Sequence, residues 1–289
     1  MSSSKVILIA GCSNGGIGAA LALVLARQGH HIFVTARNIL KISDTLSSLS
    51  NVTVLSLDVG DDASVAAAAQ AVTESGRGLD VVVNNAAVGY VRPVLDINLI
   101  EAQRLHNINL WGPVRMVQAF ADLLIASRGR VINVSSSASV VYSPWYATYA
   151  TSKAALNTLS ETMRLELAPF GVSVVTIVPG IIDSNLHVND VAGFDLPPMS
   201  RYSAIKHIIA SWAAGEVLPK GSLSAAKFAE LVTGDIVGTG KEGIVYRGPY
   251  AALLRFIGLW VPRWLADYPI SQNQGLKELA ASIRTSPST

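Results

Sequence analysis

Tyr149 and Lys153 stand four residues apart in a segment of helical pattern, a spacing that puts them on one helix face. Together they form an acid–base pair. A phenol with the ordinary pKa of about 10 exchanges protons poorly near neutrality unless a neighbouring positive charge favours its phenolate, and Lys153 brings that charge. Upstream, an apolar run ends in Ser135-Ser136-Ser137, where a hydroxyl could share a substrate oxygen with Tyr149. Such groups suit proton transfer to or from an oxygen on the substrate. A serine cluster after a strand is often only a cap or turn, and a lone Tyr–Lys pair is commonly a pair of surface neighbours. Their occurrence in this order, after the loop described next, is what points to chemistry.

That loop is Gly11-Cys12-Ser13-Asn14-Gly15-Gly16-Ile17-Gly18, set between a predicted strand and a predicted helix. Glycines in that position let the chain turn tightly and bring backbone N–H groups, backed by the helix dipole, against a pyrophosphate. We expect Gly11, Ser13, Asn14, Gly16, Ile17 and Gly18 to bind a dinucleotide. The second strand ends Val34-Thr35-Ala36-Arg37-Asn38, with an arginine and no carboxylate. An acidic residue there would accept from the ribose hydroxyls of NAD, whereas an arginine accommodates the 2′-phosphate of NADP. The expected cofactor is therefore NADP(H), with Arg37 as its phosphate partner.

The elements that must position these groups follow an alternating rhythm. Strands are expected at 5–10, 31–36, 52–57, 80–84, 130–135, 172–178 and 243–246, and helices at 17–28, 38–49, 61–75, 96–126 and 146–169. Such alternation, with short connections and no internal repeat, predicts one α/β domain: a doubly wound, Rossmann-type parallel sheet of about seven strands with helices on both faces. The stretch 184–221 breaks the rhythm and is expected to be a lid over the carboxyl ends of the strands. Residues 248–289 form a C-terminal extension.

Composition narrows the classes. With 289 residues, 50% hydrophobic, 15% charged and a net charge of +2, the chain has neither the polarity of a disordered protein nor the charge of a nucleic-acid-coating one. One cysteine, Cys12, permits no internal disulfide, and Val6 to Ala10 is too short for a signal-peptide core; both point to an intracellular setting. No apolar run reaches the roughly 18 residues of a membrane span. The five histidines have no metal-ligand spacing, so no metal is expected. The mean hydropathy of +0.41 suggests apolar surface for a partner, a greasy ligand or a membrane. The segment 250–268, with Trp260, Trp264 and two arginines, has the composition of an interfacial helix, although Pro262 interrupts it and subunit packing explains it equally well.

Taken together, the glycine loop, Leu57-Asp58-Val59, Asn84-Asn85-Ala86-Ala87, Asn109-Leu110 with Gly112, Ser136, Tyr149-Ala150-Thr151-Ser152-Lys153 and Pro179-Gly180 resemble the short-chain dehydrogenase/reductase family over residues 5 to about 185. The resemblance implies that Tyr149 donates or accepts the proton, Ser136 orients the carbonyl, and Lys153 binds the nicotinamide ribose while lowering the tyrosine pKa. It implies that Asn109 supports a water chain from the lysine. Asp58 and Val59 match the adenine-contacting pair, Asn85 and Ala86 lie beside the ribose, and Pro179, Gly180, Ile182 and Ser184 match the loop holding the nicotinamide amide.

Three positions depart from the pattern. Ala10 replaces the usual threonine and so loses a hydroxyl tie to the fourth strand, the loop is one residue longer, and Ala87 stands where glycine is commoner. The loop variant, with Tyr246-Arg247-Gly248, Trp260, Pro262 and Trp264, resembles a fungal subgroup of NADPH-dependent 1-acyldihydroxyacetone-phosphate reductases and their relatives, which act on lipids or secondary metabolites. The expected activity is hydride transfer from NADPH to the ketone of a bulky hydrophobic substrate, by a homo-oligomer, either dimer or tetramer. Val140, Val141, Tyr142, Trp145 and Tyr146 are expected to line its pocket. The alternatives are a cofactor-binding or membrane-surface protein of the same fold, and an alcohol dehydrogenase working in the oxidative direction.

Overall fold

The computed structural model describes residues 4–183, 194–217 and 221–285. Its strands are β1 (Val6–Ile9), β2 (His31–Ala36), β3 (Val52–Ser56), β4 (Val81–Asn84), β5 (Arg130–Val134), β6 (Ser173–Pro179), β7 (Ile182–Asp183), β8 (Leu223–Ser224) and β9 (Gly243–Arg247). Seven of them form one parallel sheet in the order β3-β2-β1-β4-β5-β6-β9. Successive strand residues point to opposite faces. In β1, Ile7 and Ile9 pack into one apolar layer and Leu8 into the other, and all three are fully buried. A sheet covered on both faces leaves its inner strands no position for an exposed side chain, which is why β1 and β4 are continuous aliphatic runs.

One layer is built by α1 (Ile17–Arg27), the other by α3 (Asp62–Glu74), α5 (Gly112–Ala119) and α7 (Ala147–Leu167); α2 (Asp44–Ser47), α4 (Leu99–His106) and α6 (Ala121–Ser127) complete the first half. The expected helix at 38–49 is reduced to a 3₁₀ turn, Ile39–Lys41, and the single turn α2. Ile42 and Ser43 between them are extended, and Asn38 Oδ1 caps the 3₁₀ turn by accepting from the Leu40 N–H at 3.0 Å.

The helix expected over 96–126 is likewise divided. A wide π turn, Asn107–Trp111, joins α4 to α5. Pro113 has no N–H to offer the carbonyl four residues earlier, that of Asn109, so regular winding lapses there.

Several elements were not anticipated from the sequence. Helix α9 (Ala225–Val237) buries Phe228, Val232 and Ile236, spaced by four residues, and docks beside α1. The short β7–β8 ladder pairs Ile182 with Leu223 and so closes the base of the 184–221 segment. Within that segment the described residues form α8 (Lys206–Ala213), preceded by a 3₁₀ turn. The C-terminal extension forms α10 (Ala251–Trp260), α11 (Arg263–Ser271) and α12 (Leu276–Thr285).

A buried polar chain holds α7 against the sheet. Asn84 Nδ2 of β4 donates to Asn133 Oδ1 of β5 at 2.8 Å, and Asn133 Nδ2 donates to Ser160 Oγ of α7 at 2.8 Å. Hydrogen bonds so deeply enclosed resist sliding, because any displacement strands a polar group away from water.

Candidate active site

The strand order reverses between β1 and β4, and the crevice at such a switch point is where doubly wound folds take their ligands. One cavity of about 1670 Å³ opens there. That exceeds the 300–1,000 Å³ usual for a single small ligand and has room for a dinucleotide and a second molecule.

The glycine loop forms one wall. Gly11 has φ +81°, and a Cβ on it would stand 2.9 Å from the Ala86 Cα, so neither the conformation nor the space admits a larger residue. Asn85 Nδ2 donates to the carbonyls of both Ala10 and Gly11 at 3.0 Å. The tie between loop and fourth strand, expected to weaken with alanine at position 10, is thus made by Asn85.

Helix α1 begins at Ile17 with no side-chain cap and no acidic residue in its first turn. Its first N–H groups therefore present a positive end at the cavity. Cys12 is enclosed with Sγ 3.3 Å from the Ile9 carbonyl, and burial pushes its thiol up to about 12, which makes it inert.

Of the residues expected to bind the cofactor, Gly11, Ser13, Asn14, Gly16, Ile17, Arg37, Asp58, Val59, Asn85, Ala86, Pro179, Gly180 and Ile182 all line this cavity. Gly18 does not. It packs beneath the loop, where a Cβ would meet the Gly11 carbonyl oxygen at 2.3 Å, so it shapes the turn without facing a ligand. Ser184 lies outside the described residues. Lys41, which the sequence reading passed over, joins Arg37 on the wall and adds a second cation there.

Tyr149, Lys153 and Ser136 meet on the same cavity. Tyr149 is 5% exposed and Lys153 3%; the Lys153 ammonium lies 5.9 Å from the centre of the Tyr149 ring. Lys153 Nζ donates to the Val134 carbonyl at 2.9 Å, and burial lowers its pKa to about 8. The ring of Tyr146 meets that of Tyr149 edge-on with centroids 5.6 Å apart, which fixes the plane of the phenol. Ser136 Oγ accepts from the Ala138 N–H at 3.2 Å, while the hydroxyl of its neighbour Ser135 donates to the Lys153 carbonyl at 3.4 Å.

Asn109 is buried in the π turn and does not line the cavity. Its Oδ1 accepts from the Val88 N–H, and its Nδ2 donates to the Val88 carbonyl and to Ser152 Oγ. In this arrangement it clamps the segment after β4 to α7.

The apolar end of the cavity differs from the expected one. Val141 and Tyr146 line it, but Val140 packs against Gly258, Tyr142 is 59% exposed and hydrogen-bonded to Arg263, and Trp145 is buried behind the wall. The wall is completed by Trp212 and Val217 from the 184–221 segment, Leu254 and Ile257 from α10, and residues 269, 270 and 272–274. The last group carries no sequence signature beyond a polar turn ending in Gly275. Among the described residues, no three His, Cys, Asp or Glu side chains gather as a metal site, and no helix is long and apolar enough to cross a membrane.

This fold and this site define an oxidoreductase of the short-chain dehydrogenase family. The family model for short chain dehydrogenases matches residues 5–194, and the chain belongs to that family. It is 40% identical to the short-chain dehydrogenase PC-15 of Penicillium crustosum, over 94% of this chain and 98% of the relative. It is also 38% identical to the NADPH-dependent 1-acyldihydroxyacetone phosphate reductase of Schizosaccharomyces pombe, over 64% of this chain and 62% of that protein. A short-chain dehydrogenase from Burkholderia cenocepacia in complex with NADP has the same fold, with a TM-score of 0.74 at 24% identity, covering 94% of this chain and 100% of the other.

Proposed function

We propose that the protein is an NADP(H)-dependent reductase of bulky, hydrophobic ketones. One observation carries this reading: a single cavity is lined by the glycine loop with Arg37 and Lys41, by Tyr149, Lys153 and Ser136, and by the apolar side chains of Val141, Trp212, Val217, Leu254 and Ile257. NADPH, when bound, supplies the hydride. Arg37 and Lys41 would hold its 2′-phosphate, and the loop N–H groups its pyrophosphate. The NADPH dependence of the fission-yeast relative and the NADP in the Burkholderia structure support the same cofactor.

The chain's own residues handle the proton. Ser136 donates a hydrogen bond to the ketone oxygen and holds it beside the Tyr149 hydroxyl, which gives up its proton as negative charge develops there. The Lys153 cation stabilises the phenolate left behind. In the reverse direction the same groups oxidise an alcohol, with Tyr149 as base. Val141, Trp212, Val217, Leu254 and Ile257 keep water from the reacting atoms and give the substrate its apolar contacts.

A panel of lipid, steroid and terpenoid ketones, followed by NADPH absorbance, tests the activity; failure to consume NADPH with any of them would overturn it. Arg37→Ala tests the cofactor end. Losing one charge-assisted phosphate contact raises the KM for NADPH by about ten- to a hundredfold and leaves that for NADH nearly unchanged. An unaltered preference would exclude Arg37 as the phosphate partner.

The outward side of the C-terminal helices favours a second property. Trp260 and Trp264 are each 76% exposed, and Phe256, Leu259, Leu265 and Tyr268 accompany them. This face supports contact with a lipid surface or with another copy of the chain; flotation with lipid vesicles separates the two.

A further inference from the structure

The turn that carries Ser136 is tied to α7 on both sides of that serine. After β5 the chain passes Ser135 and Ser136 and winds once, over Ser137–Ser139, as a 3₁₀ turn. Before Ser136, the Ser135 hydroxyl donates to the Lys153 carbonyl at 3.4 Å; after it, Asn157 Nδ2 donates to Ser139 Oγ at 2.8 Å. Tyr149, Lys153 and Asn157 follow one another at four-residue spacing along α7. The helix that holds the phenol and the ammonium thus also brackets the serine. Asn157 does not line the cavity, so whatever it does for the reaction it does through another residue.

The direction of this relay follows from the hydrogens available. Ser139 Oγ lies 2.6 Å from the Ser136 carbonyl oxygen, which has no hydrogen to give, so the hydrogen between them is that of the Ser139 hydroxyl. The Asn157 atom that meets Ser139 must then be the donating Nδ2, because Oδ1 in its place would set two acceptors against each other. That orientation leaves Asn157 Oδ1 buried without a hydrogen-bond partner, a standing cost that a leucine of similar volume would avoid. What the amide does in this position is commit the Ser139 hydroxyl to Ser136. The Ser136 carbonyl accepts from Ser139 twice, from its hydroxyl and from its N–H at 3.0 Å. Ser136 Oγ accepts from the Ala138 N–H at 3.2 Å, which leaves its O–H to donate into the cavity. The far end of the turn is backed by α10, where Gly258 lies so close to the Val140 carbonyl that a Cβ has no room.

We propose that Asn157 is a positioning residue for Ser136: through Ser139 it fixes the turn that aims the Ser136 hydroxyl at the ketone oxygen. A donor directed at developing negative charge acts only when it is held in place, and a displacement of about 1 Å can cost a hundredfold in rate. The proposal rests on the reading of Ser136 as the hydrogen-bond donor of a ketone site, and it adds the residue that aims that donor.

Two single variants and one background test it. Asn157→Leu keeps the side-chain volume and removes the donor; Ser139→Ala breaks the relay one link nearer Ser136. Each lowers kcat for ketone reduction about tenfold and moves the KM for NADPH by less than about twofold, since neither residue lines the cavity. The melting temperature of Asn157→Leu changes little, because the orphaned oxygen leaves with the amide. The deciding comparison is made in Ser136→Ala, where the group to be aimed is gone: there Asn157→Leu changes kcat by less than about twofold. A repeated tenfold loss in that background, or an unaltered kcat in either single variant, overturns the proposal. Calorimetry on the NADP⁺-loaded protein, with the ketone of the panel that it binds most tightly, gives a readout apart from turnover. Ser136→Ala and Asn157→Leu each weaken that ketone about threefold to fivefold, the scale of one hydrogen bond, and the double variant binds it as Ser136→Ala does. If Ser136→Ala reduces ketones at the wild-type rate, the proposal falls and the reductase reading stands. If no ketone is reduced while this pattern of binding losses holds, the reductase reading falls and the positioning of Ser136 stands.

Discussion

Tyr149→Phe lowers kcat for ketone reduction about a thousandfold, the scale of a positioned general acid, while the dissociation constant for NADPH changes by less than about threefold. The substitution removes one oxygen and keeps the ring. That ring is buried against Tyr146 in an edge-on contact, so the packing that fixes α7 survives and the melting temperature should move little. Because the hydroxyl acts chiefly when charge develops on the substrate oxygen, its loss falls on kcat and on kcat/KM alike, with KM for the ketone nearly constant. Steady-state kinetics on the variant, with fluorescence titration of NADPH, separates these quantities. Residual turnover above a tenth of wild type would mean that another group delivers the proton, and Ser136, on the same cavity, would be the first to examine.

What could be read from the sequence follows the range of the interactions involved. The parallel sheet was legible because its inner strands are buried on both faces, and a doubly buried strand has no choice but an aliphatic run; β1 and β4 are the plainest cases. The Tyr149–Lys153 pair was legible because helical spacing alone brings the two to one face. Arg37 was legible because it sits at the end of β2, a position set by strand and loop locally.

The remainder depends on contacts between distant segments. Residues 272–274 reach the cavity because Trp145, 129 positions earlier, and Trp212 hold their backbone carbonyls, and no periodicity records such a bond. Asn109 shares a helical stretch with its neighbours in the sequence, but Pro113 widens the turn and leaves its amide clamped to Val88 and Ser152, off the cavity wall. The aliphatic and aromatic residues at 140–146 show the same limit: composition marked them as apolar, yet which of them faces a ligand is decided by what packs behind. Trp145 is occupied by Gln274 and Tyr142 by Arg263, which leaves Val141 and Tyr146 for the cavity.

Lys153→Met separates what the lysine contributes to catalysis from what it costs the fold. In the wild type, burial lowers the lysine pKa from 10.5 to about 8. The folded protein then binds fewer protons here than the unfolded chain between about pH 8 and 10.5, so stability rises with pH across that window. Below about pH 8 the lysine is charged in both states and the whole desolvation penalty is present, about 3 kcal/mol for a shift of this size; above 10.5 both states are neutral and it vanishes. Methionine carries no charge to desolvate. Even after the hydrogen bond to the Val134 carbonyl is given up, at about 1 kcal/mol, the variant should be at least as stable as the wild type at pH 7 and lack its rise in stability above pH 8. Activity runs the other way. Without a cation beside Tyr149 the developing phenolate is unsupported, and kcat/KM for ketone reduction should fall about a hundredfold or more. The pH profile carries the sharper signature: in the wild type, kcat/KM declines above about pH 8 as Lys153 loses its proton in the free enzyme, and in Lys153→Met that alkaline limb is absent. Thermal melts at pH 7 and 10, paired with kcat/KM from pH 6 to 10, check both halves. A variant that melts lower at pH 7, or that keeps the wild-type limb, would show that Lys153 serves the fold and that another group sets the protonation state of Tyr149.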